Sequence, residues 1–382
     1  MKRKILVHDF GFCHFHNMVE LAKEGHQVWV TCTSNEDDES PREYYKSLGI
    51  TILDKETSVR ESLLRKFVDE NGIDTIINEN YKFKVPQYWK TDLDYIGLNT
   101  LSGHLESRKL WCRTEVSLLG VNVPDLLDEV TVPCVIKPKK VVESEQARVI
   151  LTEDDAYLIE TDDTQYIEEY IGPNIETNLD FIVSGGKYSI SYVQSTCGEA
   201  ELKNGRDCWW VNHTSYDILS VENRNLTLEA GHKILEWVAS LGGSFMGHIT
   251  GLIKDGKWYF SEINVRGEMS NSTPIYVTGN QYLDAMLNGK PQIIGDARNK
   301  FYNRLVRALP KEADSIYPFH LHEKYDVKIP CGLDIIDGEY RSSKQFRFKV
   351  PDGIIGIVLM DEEIPEEFFQ EMEATSDWYC PR

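Results

Sequence analysis

The run Ser261-Glu262-Ile263-Asn264-Val265-Arg266 follows an apolar stretch, and in an extended chain alternate side chains point the same way. Glu262, Asn264 and Arg266 then share one face, where they offer a carboxylate, an amide oxygen and a guanidinium. Oxygen ligands of the first two kinds suit Mg²⁺, which leaves its other positions to water and to triphosphate oxygens. An arginine beside them can stabilise charge on a transferring phosphoryl group. The same alternation also describes an ordinary solvent-facing strand.

Two further segments could handle a nucleotide. Val135-Ile136-Lys137-Pro138 places a lysine at the end of an apolar run, either to contact phosphate or to snorkel from a core strand. Tyr166-Ile167-Glu168-Glu169-Tyr170-Ile171-Gly172-Pro173-Asn174-Ile175-Glu176 is a strand that stops at Gly-Pro. Backbone groups at its end can read the edge of an adenine, and Glu176 can accept from ribose hydroxyls. Nucleophilic catalysis has no such signal. There is no Gly-x-Ser-x-Gly, and the eight cysteines are dispersed without a Cys-x-x-Cys pair, which suits reduced thiols. Cys13, His14 and His16 with His8 match no standard zinc spacing.

The elements that must hold these groups follow from periodicity. Short apolar runs at 4–8, 28–32, 50–53 and 73–77 alternate with helical spacing at Met18, Leu21 and Ala22 and with a helix over 59–70 that Asn71-Gly72 closes. This alternation predicts a parallel sheet covered on both faces, an α/β domain of Rossmann-like type. Its first loop, Asp9-Phe10-Gly11-Phe12-Cys13-His14, lacks the glycine spacing of a dinucleotide site, which disfavours NAD. Residues 11–16 and Asn78-Glu79-Asn80 lie at strand ends, as substrate contacts or as helix caps.

From Pro133 onward the pattern becomes α+β. Strands are expected at 134–137, 148–151 and 166–171. Those at 180–183 and 188–194 flank Ser184-Gly185-Gly186-Lys187, and those at 249–253 and 258–263 flank Lys254-Asp255-Gly256-Lys257. Both connections carry hairpin chemistry. A helix over 226–241 lies between the hairpins and is stopped by Gly242-Gly243. Beyond 300, strands are expected at 327–329, 346–350 and 354–360, with a turn at Pro351-Asp352-Gly353, then an acidic amphipathic surface helix within 361–373.

A chain of 382 residues suits two or three sub-domains. Its 41 basic and 62 acidic side chains give a net charge of −21, which repels nucleic acid and acidic membranes at long range while leaving small anions such as ATP possible. No apolar run approaches the roughly 20 residues of a membrane span. The start, Met1-Lys2-Arg3-Lys4, leads into an apolar run that His8-Asp9 ends at once, so it reads as a cytoplasmic strand rather than a signal.

Taken in order, these segments resemble the ATP-grasp superfamily, most closely its glycinamide ribonucleotide synthetase branch, from about residue 4 to 290. Ile96-Gly97-Leu98-Asn99, Leu105-Glu106-Ser107-Arg108-Lys109 and Leu119-Gly120-Val121-Asn122-Val123-Pro124 resemble that family's junction between its amino-terminal and ATP-binding domains. The resemblance implies a Rossmann-like domain at 1–110, a two-lobed ATP-grasp module at 111–190 and 191–300, and a small β-rich carboxyl-terminal region at 301–382. It also implies an ADP-forming ligase. ATP and Mg²⁺ (or Mn²⁺) activate a small-molecule carboxylate as an acyl phosphate, and an amine attacks it.

Carried over by position, the resemblance gives Lys109 and Lys137 phosphate contacts and Glu168 the adenine amino group. Glu169 and Ile171 offer backbone contacts to the base, and Glu176 holds the ribose. Glu262 and Asn264 ligate the metal, Arg266 faces the acyl phosphate, and His16 aligns with a substrate-loop histidine. Two departures stand out. No glycine occurs in Pro138-Lys139-Lys140-Val141-Val142-Glu143-Ser144-Glu145, so Lys139 or Lys140 would act there by charge. The strand His248-Ile249-Thr250-Gly251-Leu252-Ile253 carries no acidic metal ligand.

The aromatic, glycine-poor first loop also speaks against phosphoribosylamine as the amine. Lys203 and Arg206, between strands, are the first candidates for substrate recognition, against a plain exposed loop. Two alternatives to the ligase remain: a nucleotide-binding protein without turnover, and a phosphotransferase using the same cleft. A homodimer is compatible with all three.

Overall fold

The computed structural model describes residues 2–8, 18, 21–31, 46–47, 49–78, 93–140, 147–157, 161–172, 175–197, 213–214, 220–265, 287, 302–308, 324–325, 328–331, 333–336, 339–342, 354–360, 365–375 and 378–379. Apolar, β-branched runs build the parallel sheet expected of the amino-terminal region. Its strands are β1 (Lys4–His8), β2 (Gln27–Val30), β3 (Ile50–Ile52), β4 (Thr75–Asn78) and β5 (Asp94–Gly97), in the order β3-β2-β1-β4-β5. Every pairing is parallel. Leu6, Leu53, Leu64, Val68, Ile73 and Ile76 form one buried cluster between sheet and helix.

The single helix expected over 59–70 is instead two, α1 (Lys55–Val59) and α2 (Glu61–Asn71). Asp54 caps α1 by accepting from the Thr57 N–H, which starts the helix early, and Arg60 is extended (φ −98°, ψ 107°), which breaks it. Gly72 closes α2 in the left-handed conformation (φ 59°), as the Asn-Gly pair predicts.

The chain divides into two units, Met1–Gly97 with Gly267–Arg382, and Leu98–Arg266. The second begins with α3 (His104–Ser107) and α4 (Lys109–Leu118). A four-stranded antiparallel sheet follows, built from β6 (Leu126–Leu127), β7 (Cys134–Pro138), β8 (Arg148–Ile150) and β9 (Gln165–Glu169) in the order β6-β9-β7-β8. Cys134, Ile136, Ile150 and Ile167 are its core, beside the short helix α5 (Glu153–Tyr157).

The larger sheet of this unit comprises β10 (Ile175–Ser184), β11 (Lys187–Cys197), β12 (His213–Thr214), β13 (Phe245–Lys254) and β14 (Lys257–Asn264), in the order β12-β11-β10-β13-β14. Both predicted hairpin turns are present. Gly185 and Gly186 (φ 59° and 72°) and Asp255 and Gly256 (φ 51° and 69°) take the positive φ that a two-residue turn needs to match strand twist. The strands run longer than their apolar runs suggest, because polar residues at their ends pair across the ladder.

Helix α6 (Val221–Ser240) starts earlier than expected, since the Ser220 hydroxyl accepts from the Asn223 N–H and caps it. It lies close on the sheet: a Cβ added at Gly231 would sit 2.4 Å from Leu179 Cδ1.

Strands predominate among the described residues of the carboxyl-terminal region. Strands β15 (Tyr302–Ala308), β16 (Lys328–Cys331), β19 (Ile354–Met360) and β20 (Trp378–Tyr379) form one antiparallel sheet, and β17 (Leu333–Ile336) pairs with β18 (Glu339–Ser342). Helix α7 (Glu366–Thr375) is amphipathic and buries Phe368, Phe369 and Met372. The strand expected at 346–350 lies outside the described residues. No described helix is long and apolar enough to cross a membrane.

Candidate active site

Strand register places the polar groups. Across β10, β13 and β14, Asn178 stands opposite Thr250 and Thr250 opposite Glu262; Asp180 stands opposite His248 and His248 opposite Asn264. Residues directly opposite in antiparallel strands lie on the same face, so two polar rows run side by side. The alternate residues Thr177 and Leu179 meet α6 instead, through Thr227 and Gly231.

Hydrogen bonds tie the rows together. Thr250 donates to Asn178 Oδ1 at 2.7 Å, and Asn178 Nδ2 donates to Glu176 Oε1 at 3.4 Å. Asn264 Nδ2 lies 2.9 Å from Glu262 Oε1 and 3.0 Å from His248 Nε2.

The helices supply the counter-charges. Lys109, the first residue of α4, places Nζ 2.9 Å from Glu262 Oε2. Glu106 of α3, itself buried, accepts from the Val265 N–H at 3.0 Å and fixes the end of β14. Burial opposes ionisation of Glu262, yet the charge of Lys109, hydrogen bonds from Lys109 and Asn264, and the charge of Lys137 together outweigh it, and the carboxyl is held down at about 2. Glu262 is therefore an anion at neutral pH.

A second charged group sits where β7 and β9 pair. Lys137 Nζ lies 2.5 Å from Glu168 Oε1 and donates to the Ser261 carbonyl at 3.4 Å. Arg113, one turn along α4 from Lys109, brings Nε to 3.5 Å from Glu168 Oε2 and donates through Nη2 to the Pro124 carbonyl. The loop before β6 is fastened to β14, because Asn122 accepts from the Phe260 N–H at 2.9 Å and donates to the Trp258 carbonyl at 3.2 Å. Lys137 thus touches both Glu168 and the strand that carries Glu262.

Of the residues singled out from sequence, Lys109, Lys137, Glu168, Glu262 and Asn264 come together, and Glu176 joins them through Asn178 and Thr250. Glu169 follows Glu168 on β9 with its N–H given to the Asp125 carbonyl at 2.8 Å, and Ile171 is buried just beyond. Lys139 donates to the Asp163 carbonyl at 2.7 Å. Asn78 is buried and donates to the Tyr95 hydroxyl at 3.1 Å. Arg266, His16, Lys203, Arg206, Glu79 and Asn80 lie outside the described residues.

Sequence reasoning missed Arg113, Glu106, Asn178 and His248. Arg113 was findable by its helical i, i+4 spacing from Lys109. Asn178 and His248 were findable as polar residues recurring at every second position of otherwise apolar strands.

The donor set fits Mg²⁺: an ionised carboxylate and an amide oxygen, both hard ligands, on adjacent positions of one strand face. Among the described residues no group of three or more His, Cys, Asp or Glu could hold a metal alone. Cys112, beside the site, is buried, and burial with the nearby Glu115 and Glu262 pushes its thiol far up.

No protein-family model matches the chain. No curated protein matches it. Solved structures do. A biotin carboxylase from Campylobacter jejuni, in complex with beta-gamma-ATP, superposes with a TM-score of 0.71 at 14% identity, covering 100% of this chain and 92% of that one. An N5-carboxyaminoimidazole synthetase from Staphylococcus aureus, complexed with ADP, gives 0.67 at 15% identity, over 98% and 97% of the two chains. An L-amino acid ligase from Bacillus licheniformis gives 0.65 at 15% identity, over 100% and 99%. These are ATP-grasp proteins, and this chain has the ATP-grasp fold.

Proposed function

We propose that the chain is an ADP-forming ATP-grasp ligase that activates a small-molecule carboxylate with ATP and joins it to an amine. The observation that carries this reading is the ionised Glu262 beside Asn264, with Lys109 on the same carboxylate and Lys137 reaching the same strand. In support, two of the similar structures hold adenine nucleotides, and the three are named as a carboxylase, a synthetase and a ligase.

Under this reading the base binds along β9, with Glu168 accepting from its amino group and Glu169 and Ile171 contributing backbone groups. Glu176 accepts from the ribose, and Lys109 and Lys137 meet the phosphates. Glu262 and Asn264 hold Mg²⁺, or Mn²⁺ in its place, which when bound neutralises phosphate charge. Arg266, two residues beyond Asn264, faces the acyl phosphate. The protein's part is to orient and to exclude the water that would hydrolyse that intermediate. The domains are read as 1–110, 111–190, 191–300 and 301–382, in a cytoplasmic protein.

The test mixes purified protein with ATP, Mg²⁺ and pooled carboxylates and amines. Release of ADP and phosphate that requires both a carboxylate and an amine is the expected result. Nucleotide binding without turnover in every pairing, or a stable phosphorylated product without an amine, overturns the ligase.

A further inference from the structure

The strand before β14 carries no carboxylate facing the Glu-x-Asn pair: Thr250 stands opposite Glu262, and opposite Asn264 stands His248. That residue is buried, and its Nε2 lies 3.0 Å from Asn264 Nδ2.

The orientation of the Asn264 amide can be argued from charge alone. One end of the amide lies 2.9 Å from Glu262 Oε1. Glu262 already takes the Lys109 ammonium on its other oxygen at 2.9 Å, so it stands here as a carboxylate acceptor. The atom facing it is therefore the amide nitrogen. That nitrogen has two hydrogens and no lone pair to offer. Glu262 takes one hydrogen, and His248 Nε2, at 3.0 Å, is placed to accept the other. With both hydrogens engaged, Oδ1 is the amide's remaining ligand atom.

We propose that His248 is a positioning residue for the metal site: by accepting one amide hydrogen of Asn264 it locks the amide and presents Oδ1 to the cation. This rests on the reading of Glu262 and Asn264 as metal ligands. His248 acts on the ion through its neighbour Asn264. Without it, the amide is held by Glu262 alone and rotates, so that nitrogen and oxygen compete for the ligand position. Asp180, buried on the next strand, stands opposite His248 and continues the row.

Side-chain reach supplies a clean test. A glutamine places its amide oxygen where Nε2 of a histidine lies, so His248→Gln keeps the acceptor. His248→Leu keeps the bulk and removes it. Mn²⁺ binding to the protein with ADP, read by the EPR signal of the free ion, is compared with ADP binding in EDTA and with the thermal melt.

His248→Leu is expected to weaken Mn²⁺ binding about tenfold or more, the usual cost of losing an outer-shell partner. His248→Gln is expected to stay within about threefold of wild type, well below that loss. ADP binding without metal should be equal in all three. Wild-type Mn²⁺ affinity in the leucine variant overturns the proposal. So does a glutamine variant that melts normally yet loses as much as leucine. Failure of the wild-type protein itself to bind Mn²⁺ with ADP removes the metal-site reading beneath it, a different result from either.

Discussion

Around Lys137 and Glu168, charge is sealed inside the fold. Their side chains are 12% and 3% exposed, Arg113 approaches the same carboxylate, and a carbonyl of β14 takes a further bond. Around Lys109 and Glu262 the same pairing of ammonium and carboxylate is open, with side chains 24% and 34% exposed. A sealed pair is costly to break, since the survivor is left as a buried charge. An open pair is cheap to exchange, because water and other ions can replace either member. The first pair therefore suits a fixed part of the nucleotide site, in which each member holds the other in place for the phosphate and base contacts proposed for them. The second suits a site where the lysine gives up its carboxylate to a metal as the phosphates arrive.

Changes to the open carboxylate should bear on chemistry. Glu262→Gln is expected to lower ATP turnover about a thousandfold, the scale of removing a principal charge-stabilising group. The thermal melt should stay near wild type. Turnover that survives in this variant sinks the metal assignment. Changes to the sealed pair should bear on the fold first. Lys137→Ala is expected to cost about 2 kcal/mol in denaturant unfolding, by leaving the buried Glu168 only its longer contact with Arg113, whereas Lys109→Ala should cost less than about 1 kcal/mol. Equal losses in the two lysine variants would erase the contrast.

A subtler consequence concerns the order of binding. Lys109 occupies the position beside Glu262 that a cation would share. Removing it as Lys109→Met should tighten Mn²⁺ binding in the absence of nucleotide by about tenfold, the ~1.4 kcal/mol scale of one nearby like charge, while weakening ATP binding. Isothermal titration with and without ADP reads both. A variant whose nucleotide-free Mn²⁺ affinity is unchanged would show that the lysine does not guard the carboxylate.

The two pairs were not equally legible from the chain. Glu262 and Asn264 could be placed on one face because strand alternation is local, and the hairpin turns that set their register carry glycines at positions where φ is positive. The parallel amino-terminal sheet was legible for a related reason: its runs are apolar on both faces and alternate with helical spacing. The Lys109–Glu262 contact joins residues 153 apart, and no spacing rule reports how α4 docks on β14. The burial of Lys137 was equally hidden, since a lysine ending an apolar strand reads the same whether it snorkels or meets a carboxylate. The helix break at Arg60 was hidden by an uninterrupted helical pattern, and only the Asp54 cap before it hinted at a separate first turn.

The smallest effect is also the most specific to the open pair. Glu262 is held at about 2 against its ordinary value of 4.5: burial pushes the other way, and Lys109 is the leading cause that overcomes it. A carboxyl depressed in the folded state contributes stability that is complete above its unfolded value and is lost as the pH falls through its folded value. Wild type should therefore exceed Lys109→Met in urea-unfolding stability by a constant margin down to pH 4.5. The margin should then shrink as the pH falls through about 2 and vanish only below it, where both states are protonated. Because the side chain is a third exposed, the margin is modest even at neutral pH. Its pH dependence is the informative part: a difference that stays level from pH 7 to pH 2 would assign the cost of the substitution to lost packing of the lysine stem rather than to the charge it places on Glu262.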